Sequence, residues 1–196
     1  MDRNQGYKLL TKYLQNKNLI KHSLAAEAAM KGIYCYLYGD KSSYAKDTED
    51  IWGIVGLLHD IDYEVAQNTN RLDMHGKLIF EKEYEPDAIP EPIAHAIKSH
   101  NFEMTGVMPN STLDWAIFCA DQLTGLIVAG ALVHPDKKLE SLTPEYILKR
   151  FGEKAFAKGA KRESILLCED KLKIPLKEFI SIVLKAMQGI HKELGL

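Results

Sequence analysis

Ile51-Trp52-Gly53-Ile54-Val55-Gly56-Leu57-Leu58-His59-Asp60-Ile61-Asp62 is the stretch on which the reading of the chain turns. Asp47-Thr48 ahead of it offers a polar start, and Glu49 and Asp50 put acid into the first turn. The segment therefore reads as a strongly apolar helix that stops near His59, in an imidazole beside a carboxylate. Consecutive helical residues point about 100° apart, at 3.6 per turn, so both can meet one ion only over the groove between them. Otherwise they are a solvated pair at a helix end. If the carboxylate is buried, it needs a cation or several donors, because an unpaired charge is costly to desolvate.

The helical period extends outward from this stretch. Residues 6–15 and an alanine-rich 19–38 read as helices, and 75–84 is a fourth candidate. Pro90 and Pro92 open a fifth that runs to about His100. Ser111 and Asp114 form a capping box for a long helix to about Val133. Thr143-Pro144-Glu145 starts another, and Pro175 opens a last one ending near Gly195. Alternating strand patterns are absent, so the expected fold is all-α. With 196 residues, no repeat and no long linker, one domain is expected, with its core at about 20–130 and a helical extension at 135–196.

Composition narrows the function. Lys+Arg 25 against Asp+Glu 27 gives a net charge of −2, which argues against binding nucleic acid through bulk electrostatics. A hydrophobic share of 46% excludes a disordered chain. The longest uninterrupted apolar runs, 51–58 and 125–133, fall short of the roughly 20 residues of a membrane span. The first residues lack the apolar core of a signal peptide, so a cytoplasmic location is expected. Cys35, Cys119 and Cys168 are widely spaced and form no CxxC, as reduced thiols would. The oligomeric state is left open.

Polar groups on apolar helical faces carry the chemistry. His22 falls in line with Ala26, Ala29, Ile33 and Tyr36. A lone histidine in such a stripe is more often a satisfied core residue than a ligand. Asp121 shares its face with Ile117, Phe118, Thr124, Gly125 and Val128, and no basic residue lies between Asn101 and Val133 to neutralise it. A metal ion held jointly with His22, His59 and Asp60 supplies that charge. His100 continues the apolar row Ile93, Ala96, Ile97 and should point inward, whereas His95 shares a face with Glu91, Lys98 and Ser99 and should point out. His134 and His191 look peripheral.

His22, then His59-Asp60, then Asp121 resembles the H…HD…D signature of the HD-domain metal-dependent phosphohydrolases. Leu57-Leu58-His59-Asp60-Ile61-Asp62 is similar to the LLHDIG core of the HDIG subgroup, with Asp62 where glycine is usual. The resemblance spans roughly residues 20–130. It implies a helical bundle in which those four side chains hold a divalent ion, and hydrolysis of a phosphate ester by metal-activated water. The expected substrate is a small phosphorylated molecule such as a nucleotide.

Some members carry further histidines that complete a second site, and His75 and His100 fit that order. The expected cofactor is thus one or two ions of Mn, Fe, Co, Ni, Zn or Mg. Asp60 and Asp62 are the candidate catalytic carboxylates, Asp62 by orienting water or passing a proton. Lys98 and the cations Lys158, Lys161 and Arg162 are candidate phosphate contacts. Two alternatives stand beside hydrolysis: a di-iron oxygenase on the same fold, and a non-catalytic binding module.

Overall fold

The computed structural model describes residues 1–39, 47–84 and 88–196, and among these it contains helices and no strand. The chain is an all-α bundle, as the periodicity predicts. Helix α1 (Arg3–Tyr13) opens on a capping box in which Asp2 and Gln5 exchange hydrogen bonds, earlier than the sequence pattern places it. Helices α2 (Lys17–Tyr38) and α3 (Glu49–Leu58) begin at the side-chain caps Asn16 and Thr48. After the short α4 (Tyr63–Asn68) come α5 (Ile93–His100), α6 (Phe102–Thr105) and the long α7 (Thr112–Val133). The Ser111–Asp114 capping box is present at the start of α7. Helices α8 (Pro144–Gly152), α9 (Arg162–Leu167), α10 (Leu176–Gln188) and α11 (His191–Leu194) complete the bundle, with a π-helical turn at Cys168–Leu172.

Close packing of α2 on α3 follows from small residues on both. Ala25, Ala26 and Ala29 are fully buried, and a methyl group at Gly56 would lie 2.4 Å from the carbonyl oxygen of Ala26. Only glycine lets the two backbones approach this closely. His22 precedes Ala26 by about one turn and His59 follows Gly56 by three residues, so the crossing sets the two imidazoles side by side. Of the stripe read from His22, Tyr36 departs: it is 49% exposed.

Helix α7 packs against α2, α5, α8, α9 and α10. By length and apolar character alone it would suffice to cross a membrane, which the uninterrupted runs had not indicated, but 56% of its most apolar window is buried within the protein.

Two expectations about elements are corrected. Residues 75–84 do not form the expected α-helix; the segment carries two 3-10 turns, Leu78–Phe80 and Lys82–Tyr84, after a third at Leu72–Met74. The buried Asp62 carboxylate draws in the N–H groups of Gly76 and Ile79, and Gly76 sits at φ +87, a left-handed conformation that breaks a helical path. The last helix is likewise interrupted at Gly189-Ile190, which separates α10 from α11.

Candidate metal centre

Four side chains from α2, the end of α3 and the middle of α7 converge. His22 Nε2 lies 2.9 Å from Asp121 Oδ1 and 3.5 Å from Asp60 Oδ2. His59 Nε2 lies 3.5 Å from each of those oxygens and 3.2 Å from His22 Nε2. Donors held at about 2.1 Å on one ion stand about 3.0 Å apart in octahedral cis positions and about 3.4 Å apart in a tetrahedron. The observed spacings match that range.

A second group adjoins the first through Asp60. His75 Nε2 is 3.2 Å and His100 Nε2 is 3.4 Å from Asp60 Oδ1. The carboxylate therefore turns one oxygen to each group, and either group could hold a metal ion.

The imidazoles are held from behind. His59 donates its Nδ1–H to the Gly56 carbonyl oxygen at 2.8 Å, and His100 donates its own to that of Ile97. His75 donates to Asp62 Oδ1 at 2.8 Å, and His22 Nδ1 lies 3.4 Å from the Thr124 hydroxyl oxygen. Every ring thus keeps Nε2 for the cluster, the usual arrangement of metal-binding histidines. With its Nδ1–H committed, a neutral His59 would face two carboxylates and another imidazole with a bare lone pair. Acceptors crowded at these distances repel, so positive charge must stand among them, as protons or as a metal cation.

The ionisation of these groups reflects the same crowding. Burial lowers the His59 pKa, but the charges of Asp60 and Asp121 outweigh it and push the group up to about 9. Burial likewise opposes the charged form of His75, and hydrogen bonding to Asp60 and Asp62 raises it to about 10. Burial alone would raise the Asp60 carboxyl; His59, His100 and His75 instead hold it well below the usual carboxylate range. Asp121 is depressed against burial by hydrogen bonding to His22 and His59.

A cavity of about 400 Å³ opens on the cluster, with Asp60, His75, His100 and Asp121 in its wall beside Tyr63 and Gln122. Gln122 donates to Asp121 Oδ2 at 2.7 Å and accepts the Lys161 backbone N–H at 3.0 Å, which ties the segment before α9 to the site. Asn101 lines the same space and donates to the His75 carbonyl oxygen. Tyr63 sets its ring edge-on to His75, 5.2 Å between centroids. The sequence reading passed over these residues. For Gln122 a signal existed, since it is a second polar group beside Asp121 in an apolar helix. Asn101 sits at the junction of α5 and α6 and Tyr63 at the first residue of the short α4, and neither gave one.

Several candidates sit elsewhere. Asp62 is 1% exposed, accepts the N–H groups of Gly76 and Ile79 besides that of His75, and does not line the cavity. It orients His75; it does not itself meet water there. Of the four cations, Lys161 alone lines the cavity, with its ammonium paired to Glu103. Arg162 is spent on the carbonyl oxygens of Phe156, Ala157 and Ala160. Lys98 lies over the Phe80 ring at 4.3 Å, and Lys158 is exposed outside the cavity wall.

His95 does face away from the cluster, but toward Asp114, 3.1 Å away, and Asn110, not into open solvent. His134 and His191 pair with Asp136 and Glu140. Set against family models, characterised proteins and solved structures, the chain matches none.

Proposed function

We propose that the chain is a metal-dependent phosphohydrolase of the HD type, cleaving a phosphate ester of a small molecule such as a nucleotide. One observation carries the reading: Asp60 presents Oδ2 to His22 and His59 and Oδ1 to His75 and His100, at 3.2–3.5 Å. A carboxylate shared between two imidazole-rich groups suits a pair of divalent ions, and mixed N/O donors suit Mn, Fe, Co, Ni or Zn. When bound, such ions would polarise a phosphoryl oxygen and supply hydroxide from water near neutral pH.

The protein's own groups do the rest. Asp62 fixes the His75 ring, Gln122 fixes Asp121, and the Gly56 and Ile97 carbonyls fix His59 and His100. Preorganised donors cost no rearrangement at the moment of reaction. Lys161 and Asn101 line the cavity wall, and the N–H groups they do not give to Glu103 and to the His75 carbonyl oxygen would be the donors for a substrate oxygen.

Elemental analysis of the purified protein, then a panel of phosphomonoesters and phosphodiesters with added Mn, Co, Ni and Mg, tests the reading. The expected result is metal-dependent release of phosphate or of a phosphomonoester. Bound metal with no turnover of any ester would overturn it. The same donor set also suits an iron pair, and dioxygen-dependent turnover of the iron-loaded protein would select oxygenase chemistry instead.

A further inference from the structure

We infer that the substrate of this site is amphiphilic: its esterified group carries an apolar chain that lies in a groove between α2 and α7. The inference rests on the hydrolase reading and adds the class of substrate. The groove, about 540 Å³, begins at His22 and runs along Gly125, Val128 and Leu132 of α7 toward Leu194 and Leu196. Leu132 is 54% exposed along it. A second recess shares His22 and Gly125 with the groove, and Asp121, Gln122 and Gly159 with the polar cavity, so the three hollows adjoin. From the carboxylates, past His22, the hollows follow one another to a surface whose α7 side is apolar and whose α2 side carries Asn18 and Lys21.

Gly125 stands at the throat of this path and lines both the recess and the groove. A glycine inside a helix is less stable than alanine, so a packing reason is normally sought. Gly56 and Gly130 have one: a methyl group would meet the Ala26 carbonyl oxygen at 2.4 Å in the first case and Ile147 at 2.8 Å in the second. Gly125 is exposed, and beyond its chain neighbours and its own helix backbone no atom lies within 4 Å of where a methyl group would stand. The missing side chain leaves room that the protein itself does not fill, beside His22. Val128 and Leu132 follow at helical spacing on the same face, which suits an alkyl or aryl group leaving the phosphate for the groove.

The test uses n-alkylphosphonates from methyl to octyl, which keep the anionic head and resist hydrolysis. Their binding to the manganese-loaded protein is measured by calorimetry. The dissociation constant should fall about fourfold for each added methylene until the groove is filled. Gly125→Leu should flatten the series by plugging the throat. Its melting temperature should equal or exceed the parent's, which separates a blocked groove from a damaged fold. Leu132→Asp should cut the gain for the longer chains alone.

Binding that ignores chain length in the parent, or a Gly125→Leu variant that responds to chain length as the parent does, overturns the proposal. Hydrolysis of short esters with a flat series would remove the groove and leave the hydrolase. Length-dependent binding without hydrolysis of any ester would do the reverse.

Discussion

The two oxygens of Asp60 face different pairs of imidazoles, and Asp62, two residues on, faces none of the cavity. Their removal should therefore have different consequences. Asp60→Asn keeps the shape but removes the charge shared by both groups, so metal analysis should find both ions lost. Asp62→Asn leaves every donor in place and weakens the hold on His75 and on the Gly76–Ile79 segment that follows it, so affinity for one ion should fall by about 10–100-fold. If the two variants retain equal metal, the division of labour between them is wrong.

His100 and His95 form a second contrast on one helix. His100→Ala removes a donor from the site and should cost several kcal/mol in transition-state stabilisation, by the order of magnitude of lost charge contacts. His95→Ala should leave turnover unchanged but lower stability by about 1 kcal/mol, because Asp114, 1% exposed, loses its imidazole partner. Equal turnover in the two variants would refute the inward phase of His100.

At the scale of elements, the α2–α3 crossing decides where His22 and His59 stand. Gly56→Ala would place a methyl group 2.4 Å from the Ala26 carbonyl oxygen, and backbone cannot yield as a side-chain tip can. Thermal melting should show a loss of about 1–3 kcal/mol, the usual cost of overpacking. Metal affinity should fall with it, since both imidazoles ride on these helices. A stable Gly56→Ala protein with undiminished affinity would separate the crossing from the site.

These long helices were legible because caps and a 3.6-residue period repeat along them, and because polar groups in apolar faces are rare enough to stand out. That logic placed His22, Asp121 and His100 on the faces they occupy, while His59 and Asp60 were read only as the end of an apolar helix. It failed at 75–84, where backbone N–H groups turn to Asp62 across 14 and 17 residues, a long-range bond with no local signature. It failed too for Arg162, whose guanidinium caps nearby carbonyls where a basic run had pointed to phosphate. His75 was placed on a helix that does not exist, yet it reaches the cluster, because Asp62 holds the 3-10 segment against it.

For the whole molecule, the ring of imidazoles and carboxylates links folding, protons and metal. An imidazole whose folded pKa is raised stabilises the fold fully below its unfolded value, near 6.5, and loses that contribution as pH climbs through the folded value. With His59 at about 9 and His75 at about 10, the metal-free protein should lose stability progressively from about pH 6.5 to about pH 10. Asp60 and Asp121, held low, act with the opposite sign: their contribution is present above the ordinary carboxylate value of 3.8 and is lost on acidification.

Metal binding must displace the imidazole protons, so below pH 9 affinity should rise about tenfold per pH unit for each proton released. Melting curves taken with a chelator and with excess manganese, from pH 5 to pH 10, separate the two effects. The chelated protein should melt lower as pH rises above about 6.5, while the gap between the two curves widens. A chelated protein whose melting temperature is flat from pH 7 to pH 10, with a metal-induced shift that does not change with pH, would mean that the imidazoles are neutral before the ion arrives. The positive charge their crowding demands would then have to come from the metal alone.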